Sequence, residues 1–223
     1  MIAGSIEFIT GEDRIDVATK YYGVNITYDM LSFKANLKAN HVLVVEKYTV
    51  FMSLCHSRIW KKLPIILITG CGFPSNNTRK LVEDLSMNSD IEICYLGDYD
   101  PHGFLIFLSY AKGSVSTRIN SLIPDVHINR RKGNRYKWIG IRASDVEEYG
   151  IKKVVDLTKR EMRILENLIS DPEVAENTLL RHEIEQQRTV QKIEIEALEE
   201  STSTGVLFEY VIRKILSREW IEF

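Results

Sequence analysis

Residues 91–103 read IEICYLGDYDPHG. An apolar, β-branched run from Ile91 to Leu96 ends at Gly97, and two aspartates, Asp98 and Asp100, follow with a single residue between them. Pro101 fixes its own φ and Gly103 tolerates close approach, so the chain is set to turn there into a helix that runs from Gly103 to Ala111. A buried strand that ends in carboxylates and feeds a helix is the repeating unit of an α/β sheet. If the backbone stays extended across residues 98–100, both acid side chains project to the same side.

The same unit occurs twice upstream. HVLVVE (His41 to Glu46) is followed by an amphipathic stretch from Tyr48 to Trp60, and PIILIT (Pro64 to Thr69) by another from Asn77 to Leu85. Short apolar runs alternating with helical periodicity predict an α/β fold: a mostly parallel sheet flanked by helices, whose ligands gather at the carboxyl ends of the strands. Glu46 closes its run at that edge, so three carboxylates from two strands, Glu46, Asp98 and Asp100, are expected to share it. Acids held that close repel one another, and a hard divalent cation relieves them. An all-oxygen donor set favours magnesium, with manganese as a substitute. Taken singly, D-Y-D also reads as a turn and Glu46 as a solvated strand end; the combination of separate strand ends with the P-x-G turn favours the metal. His102, beside the aspartates, reads first as a turn residue and second as a ligand or acid.

Between these strands lies TGCGFPSNNTR, residues 69–79. Gly70 and Gly72 would let the main chain approach a phosphate, and a helix beginning near Asn77 would aim its amides and Arg79 at it. Ser75 and Pro74 break the dinucleotide fingerprint, and no Walker loop is present. A tight turn with an outward arginine is the plainer reading of the same residues.

The remaining features set limits. With 223 residues, 44% of them hydrophobic, the chain can bury one large core. A formal charge of −2 neither requires nor excludes a nucleic-acid partner. Cys55, Cys71 and Cys94 form no metal or disulfide pattern. No run reaches the ~20 apolar residues that span a bilayer, so no membrane is expected. Residues 1–40 read as lead-in strands and turns, with Ile15 to Ala18 a candidate strand, and 41–223 as the sheet domain with C-terminal strands and helices. Arg130, Arg131, Lys132 and Arg135 are the densest basic stretch, interleaved with Tyr136 and Trp138, and suit a DNA backbone as well as a solvated loop. Trp138 to Ile141 predicts a further strand. Thr158 and Glu161 predict a capping box opening a helix to Ile169, Glu176 to Leu198 reads as one long charged helix, and Val206 to Leu216 as a last amphipathic one.

Taken together, VLVVEK, TGCGFPSNNTR, LGDYDPHG, KWIG and QKIEIEAL resemble the Toprim half of the topoisomerase VI A family and of its relatives that make meiotic double-strand breaks. The match runs in order from Ile2 to the C-terminus. It implies a Toprim-like fold with a helical C-terminal extension, magnesium on Glu46, Asp98 and Asp100, and Arg79, Gly70 and Gly72 on the side of the DNA backbone. The implied partners are double-stranded DNA, a second copy in a homodimer, and an ATPase-type topoisomerase VI B-like protein. Glu46 would act as acid or base at the 3′ oxygen, and Glu176 to Leu198 would be a partner or dimer surface. Cys71 stands where the family has lysine and Ser75 where it has an acid. Family members carry their DNA-attacking tyrosine in an N-terminal winged-helix domain, with no counterpart here; Tyr21 and Tyr22 lie in the short lead-in and are poor substitutes. The look of VEK-x-x-x-F and KIEIEAL leans to the meiotic branch and hence the nucleus, with an archaeal-type topoisomerase VI protein serving DNA topology as the alternative. A DxD phosphotransferase or a metal-dependent glycosyltransferase would leave Glu46 and the glycine loop unused. A non-catalytic DNA-binding and dimerisation module is the remaining reading.

Overall fold

Each apolar run of the sequence becomes a strand buried on both faces, which parallel strands under helices require. The computed structural model describes residues 1–87, 91–112, 136–152, 155–201 and 205–223. Its strands are β1 (Ile2–Gly4), β2 (Ile6–Thr10), β3 (Asp13–Asp16), β4 (Lys34–Leu37), β5 (His41–Val45), β6 (Ile65–Thr69), β7 (Glu92–Leu96), β8 (Tyr136–Trp138) and β9 (Ile221–Glu222). The main sheet has the order β1-β6-β5-β7-β8-β9. Its inner four strands are parallel, and β1 and β9 close the two edges antiparallel. The fold is therefore the expected mixed α/β one, with a mostly parallel sheet.

Register sets up the functional edge. Val45 lies opposite Thr69 on one side and Leu96 on the other. Glu46, Gly70 and Gly97 consequently leave the sheet at one level. The chain passes from β5 to β6 on one side, then crosses to β7 on the other. That reversal opens a crevice at the carboxyl ends of β5 and β7, where open α/β sheets bind ligands. Helix α1 (Tyr48–Ser57) follows β5, α2 (Asn76–Ser86) follows β6 and α3 (Pro101–Ala111) follows β7. The third helix is buried along most of its length because it packs between the sheet and the C-terminal helices. Phe104 stacks on Trp138 with ring centroids 4.1 Å apart, and Tyr95 stacks on the same indole at 5.5 Å.

At the front, β1 joins the main sheet while β2, β3 and β4 form a separate antiparallel sheet, order β3-β2-β4. The candidate strand at Ile15 to Ala18 is displaced: β3 ends at Asp16, whose carboxylate accepts the Ala18 N–H at 3.0 Å and caps a 3₁₀ turn over Val17–Thr19. At the back, short helices Ala143–Glu148 and Pro172–Glu176 accompany longer ones over Lys159–Ile169, Thr178–Val190 and Val206–Leu216. The capping box is present: the Thr158 hydroxyl accepts the Glu161 N–H at 3.2 Å, and Glu161 accepts the Thr158 N–H at 2.7 Å. The strand read at Trp138 to Ile141 stops at Trp138, although Ile139 still donates to the Tyr95 carbonyl at 2.9 Å.

One expectation fails. Glu176 to Leu198 is not a single helix: the helix ends at Val190, and Gln191 takes a positive φ of 68°. The five residues Lys192-Ile193-Glu194-Ile195-Glu196 alternate charge and isoleucine, a period of two that suits an extended segment better than a helix. They run as a strap, with Lys192 bridged to Val155 and Ile193 to Tyr99. Ile193 and Ile195 are buried, and the strap lies across the carboxyl end of β7 rather than standing as a free helical face. Among the described residues, no helix is long and apolar enough to cross a membrane.

Candidate metal centre

Glu46 leaves β5 with its main chain already tied: its N–H donates to the Leu96 carbonyl at 3.0 Å and its carbonyl accepts the Gly72 N–H at 2.9 Å. The side chain turns into the crevice. Oε2 accepts the Asp98 N–H at 3.1 Å and the Tyr95 hydroxyl at 3.3 Å. Glycines make the room. A Cβ on Gly97 would lie 2.6 Å from Glu46 Oε2 and one on Gly103 3.2 Å from it. Asp98 is nearly buried and both its oxygens are engaged, Oδ1 by the Ile195 N–H at 2.9 Å and Oδ2 by Lys47 Nζ at 3.0 Å. Asp100 caps α3, taking the Gly103 N–H on Oδ1 at 2.6 Å. That cap follows from the D-x-x-G spacing.

The charge pattern is strained. Burial, then the negative charges of Asp98 and Asp100, raise the Glu46 carboxyl to about 8, against the pull of the Asp98 N–H and Tyr95 hydroxyl. Burial likewise raises Asp98 to about 6, with the Lys47 ammonium opposing it. Burial would lower Lys47, but the Glu196 hydrogen bond and the Asp98 charge overcome it, and the ammonium is raised above its ordinary value. Clustered, partly dehydrated carboxylates with an all-oxygen donor set fit a hard divalent cation. Among the described residues, Glu46 Oε1 and Asp100 Oδ2 receive no hydrogen bond, which leaves two carboxylate oxygens available to it. The fit is open rather than closed: Glu46, Asp98 and Asp100 share the edge without forming a tight triad.

A tighter group lies beside it. One ligand atom each from Asp100, His102 and Glu161 come within 4.8 Å of one another. Glu161, however, is committed: it accepts from the Thr158 N–H and from Lys192 Nζ at 2.9 Å. Those bonds, against the upward push of burial, hold its carboxyl down at about 2. Both acids grouped with His102 already serve as helix caps, Asp100 for α3 and Glu161 in the capping box.

The glycine loop takes a definite shape. Cys71 and Gly72 both have positive φ, 56° and 95°. The Cys71 N–H is anchored on the Thr69 hydroxyl at 3.0 Å. Helix α2 starts one residue earlier than expected because Ser75, one of the departures from the family pattern, is its N-cap and accepts the Thr78 N–H at 3.2 Å. Arg79 bonds the Asn76 side chain at 2.8 Å. Gly70 is packed against Tyr110, whose hydroxyl would lie 2.8 Å from a Cβ there. Arg130, Arg131, Lys132 and Arg135 lie outside the described residues. Tyr21 and Tyr22 sit edge-on with His56, and Arg58 covers Tyr21 at 4.4 Å. Arg58 caps the C-terminal end of α1 and Lys47 its N-terminal end. Ten helical residues, about 15 Å, therefore separate these tyrosines from the acidic edge.

Lys47 and the strap were missed by sequence reasoning as parts of the site. Their signals were the E-K step after β5 and the alternation in KIEIE, which a helical reading concealed.

A parallel sheet carrying glutamate after its first strand and D-x-D after its third defines a Toprim-type domain. The family model for the Toprim domain of Spo11 and the topoisomerase 6 A-type protein matches residues 41–215, and the chain belongs to that family. The chain is 33% identical to meiotic recombination protein SPO11-2 of Oryza sativa subsp. indica over 189 residues, 82% of this chain and 45% of the relative. It is 30% identical to the A component of type 2 DNA topoisomerase 6 from Hyperthermus butylicus, and 26% identical to that from Aeropyrum pernix. Both of these alignments cover 99% of this chain and 59% of the relative. The chain thus spans about half to three fifths of the length of the curated relatives it matches.

Proposed function

We propose that this chain is the magnesium-binding Toprim portion of a type IIB topoisomerase-like protein that makes double-strand breaks in DNA by transesterification. The observation that carries the reading is the shared edge of Glu46, Asp98 and Asp100, where burial and mutual repulsion hold Glu46 and Asp98 above their ordinary values. Magnesium, with manganese as substitute, would neutralise charge on the phosphate during strand transfer. The chain's residues do the rest. Asp98 is oriented by the Ile195 N–H and Asp100 by the start of α3, and Glu46 is the acid or base proposed at the 3′ oxygen. Gly70, Gly72 and Arg79 present the loop to the DNA backbone, and Arg130, Arg131, Lys132 and Arg135 add positive charge for it. The attacking tyrosine is not assigned to any residue between 1 and 223, so this portion alone is not expected to cleave.

A homodimer, an ATPase-type B partner, a nuclear location and a role in meiotic recombination go with this reading, supported by the identity to SPO11-2. Alignment of nearly the whole chain with the archaeal relatives favours the alternative of a role in DNA topology. Both share the same test. Magnesium titrated into the chain with a short gapped duplex should promote DNA binding, and the Asp98→Asn/Asp100→Asn variant should lose that response. Binding that ignores both magnesium and the substitutions would reduce the chain to a metal-independent DNA-binding and dimerisation module, and absence of binding would remove DNA from its function altogether.

A further inference from the structure

Lys47 stands within reach of three acids at once. Its Nζ is 3.0 Å from Asp98 Oδ2, 2.9 Å from Glu196 Oε2 and 3.5 Å from Glu194 Oε2. The first of these carboxylates belongs to the acidic edge and the other two to the strap. We propose that Lys47 is an exchangeable counter-ion: it neutralises Asp98 in the metal-free protein and is drawn onto Glu194 and Glu196 when a divalent cation takes Asp98, so that the strap sets the affinity for metal. The proposal rests on the metal reading above and adds to it a residue and a segment that the metal ligands do not include.

The geometry supports exchange rather than a fixed bridge. Asp98 Oδ1 is held by the Ile195 N–H, so the carboxylate keeps its orientation while Oδ2, the oxygen Lys47 touches, is the one that changes partner. The strap is anchored on both sides of Ile195. Ile193 and Tyr99 exchange backbone hydrogen bonds of 3.0 and 2.9 Å, Lys192 and Val155 exchange two of 3.0 Å, and Thr49 donates to Glu196 Oε1 at 3.0 Å. Glu196 is therefore already in position, and an ammonium on a flexible stem transfers between acceptors by rotation, with no backbone movement. The Glu194 side chain is 60% exposed and that of Glu196 35%, against 8% for Asp98. The strap acids thus accept the ammonium where water supports both charges. A divalent ion on Asp98 and an ammonium on the same oxygen repel each other, and the repulsion supplies the drive. Lys192 marks the limit of the device: its ammonium is tied to Glu161 at 2.9 Å, which keeps the strap's own cation off Asp98.

The prediction has opposite signs in two variants. Manganese affinity of the whole 223-residue chain, read by electron paramagnetic resonance of the free ion, should tighten about tenfold in Lys47→Met, the lower end of what outer partners of metal ligands are worth. Glu196→Gln should weaken it roughly threefold, the scale of a partly exposed ion pair, because Lys47 then stays on Asp98. In the Lys47→Met background Glu196→Gln should change nothing. A merely structural role would move both variants the same way. Weaker or unchanged binding in Lys47→Met, or a Glu196→Gln effect that persists without Lys47, overturns the exchange. Should Lys47→Met melt below the assay temperature, Lys47→Gln carries the same sign. If wild type and Asp98→Asn/Asp100→Asn bind manganese identically, the metal reading itself fails and takes the exchange with it. A difference there without the sign split sinks the exchange alone.

Discussion

Two buried aspartates of this molecule live in opposite circumstances. Asp145, fully buried among the C-terminal helices, has every charge answered: Lys214 Nζ reaches Oδ1 at 2.8 Å, and Oδ2 accepts the Tyr210 hydroxyl at 2.8 Å and the Arg142 N–H at 3.0 Å. Lys214 is itself buried at 1% exposure. Asp98, nearly as buried, shares its edge with Glu46 and Asp100 and has one ammonium that two further acids also claim. The first arrangement closes on itself and ties the Val206–Leu216 helix to the Ala143–Glu148 helix. The second is over-supplied with negative charge, as the proposed cation site requires.

The contrast can be broken from either side. The largest effect is expected from Lys214→Met, which strands a buried carboxylate and should cost about 3–5 kcal/mol in denaturant unfolding. Gly97→Ala comes next: its Cβ would meet the Tyr95 ring at 2.5 Å and Glu46 Oε2 at 2.6 Å. Overpacking of that kind should cost about 1–3 kcal/mol and should also abolish metal binding, since the acid is pushed out of the crevice. Asp98→Asn, by comparison, should alter unfolding by less than about 1 kcal/mol without metal, because loss of the partly exposed Lys47 pair is offset by relief of repulsion. Near-equal costs for Lys214→Met and Asp98→Asn would erase the distinction.

A pH scan sharpens it. The folded Glu46 carboxyl titrates at about 8, above the ordinary value of 4.5. Between those two values the folded state binds more protons than the unfolded one, so metal-free stability should fall as pH rises through the window. Metal requires the ionised acid, so affinity should rise over the same interval. Glu46→Gln should flatten both trends. A local control lies outside the contrast: Thr158→Ala removes one half of the capping box and should cost about 1 kcal/mol with no change in metal response.

Much of the site was legible because it follows strand ends. Apolar runs of period-free β-branched residues located β5, β6 and β7, and parallel strands then brought Glu46, Gly70 and Gly97 to one level, with Asp98 one residue beyond. The strap was not legible for a physical reason. KIEIE sits next to a strongly helical, charge-rich stretch, and local propensity favours continuing the helix; only the buried places waiting for Ile193 and Ile195 beside Tyr99 make the extended form win. The same error hid Lys47, whose bond to Glu196 spans 149 residues of chain. His102 was placed beside the aspartates correctly by sequence, but Glu161 approaches it from another helix, a pairing that spacing cannot show.

The most direct test is a crystal of the chain soaked in manganese and measured for anomalous scattering at the metal edge. A peak is expected against Glu46, Asp98 and Asp100, with Lys47 Nζ withdrawn from Asp98 onto Glu194 and Glu196. A peak instead among Asp100, His102 and Glu161, or none at saturating metal, would contradict it.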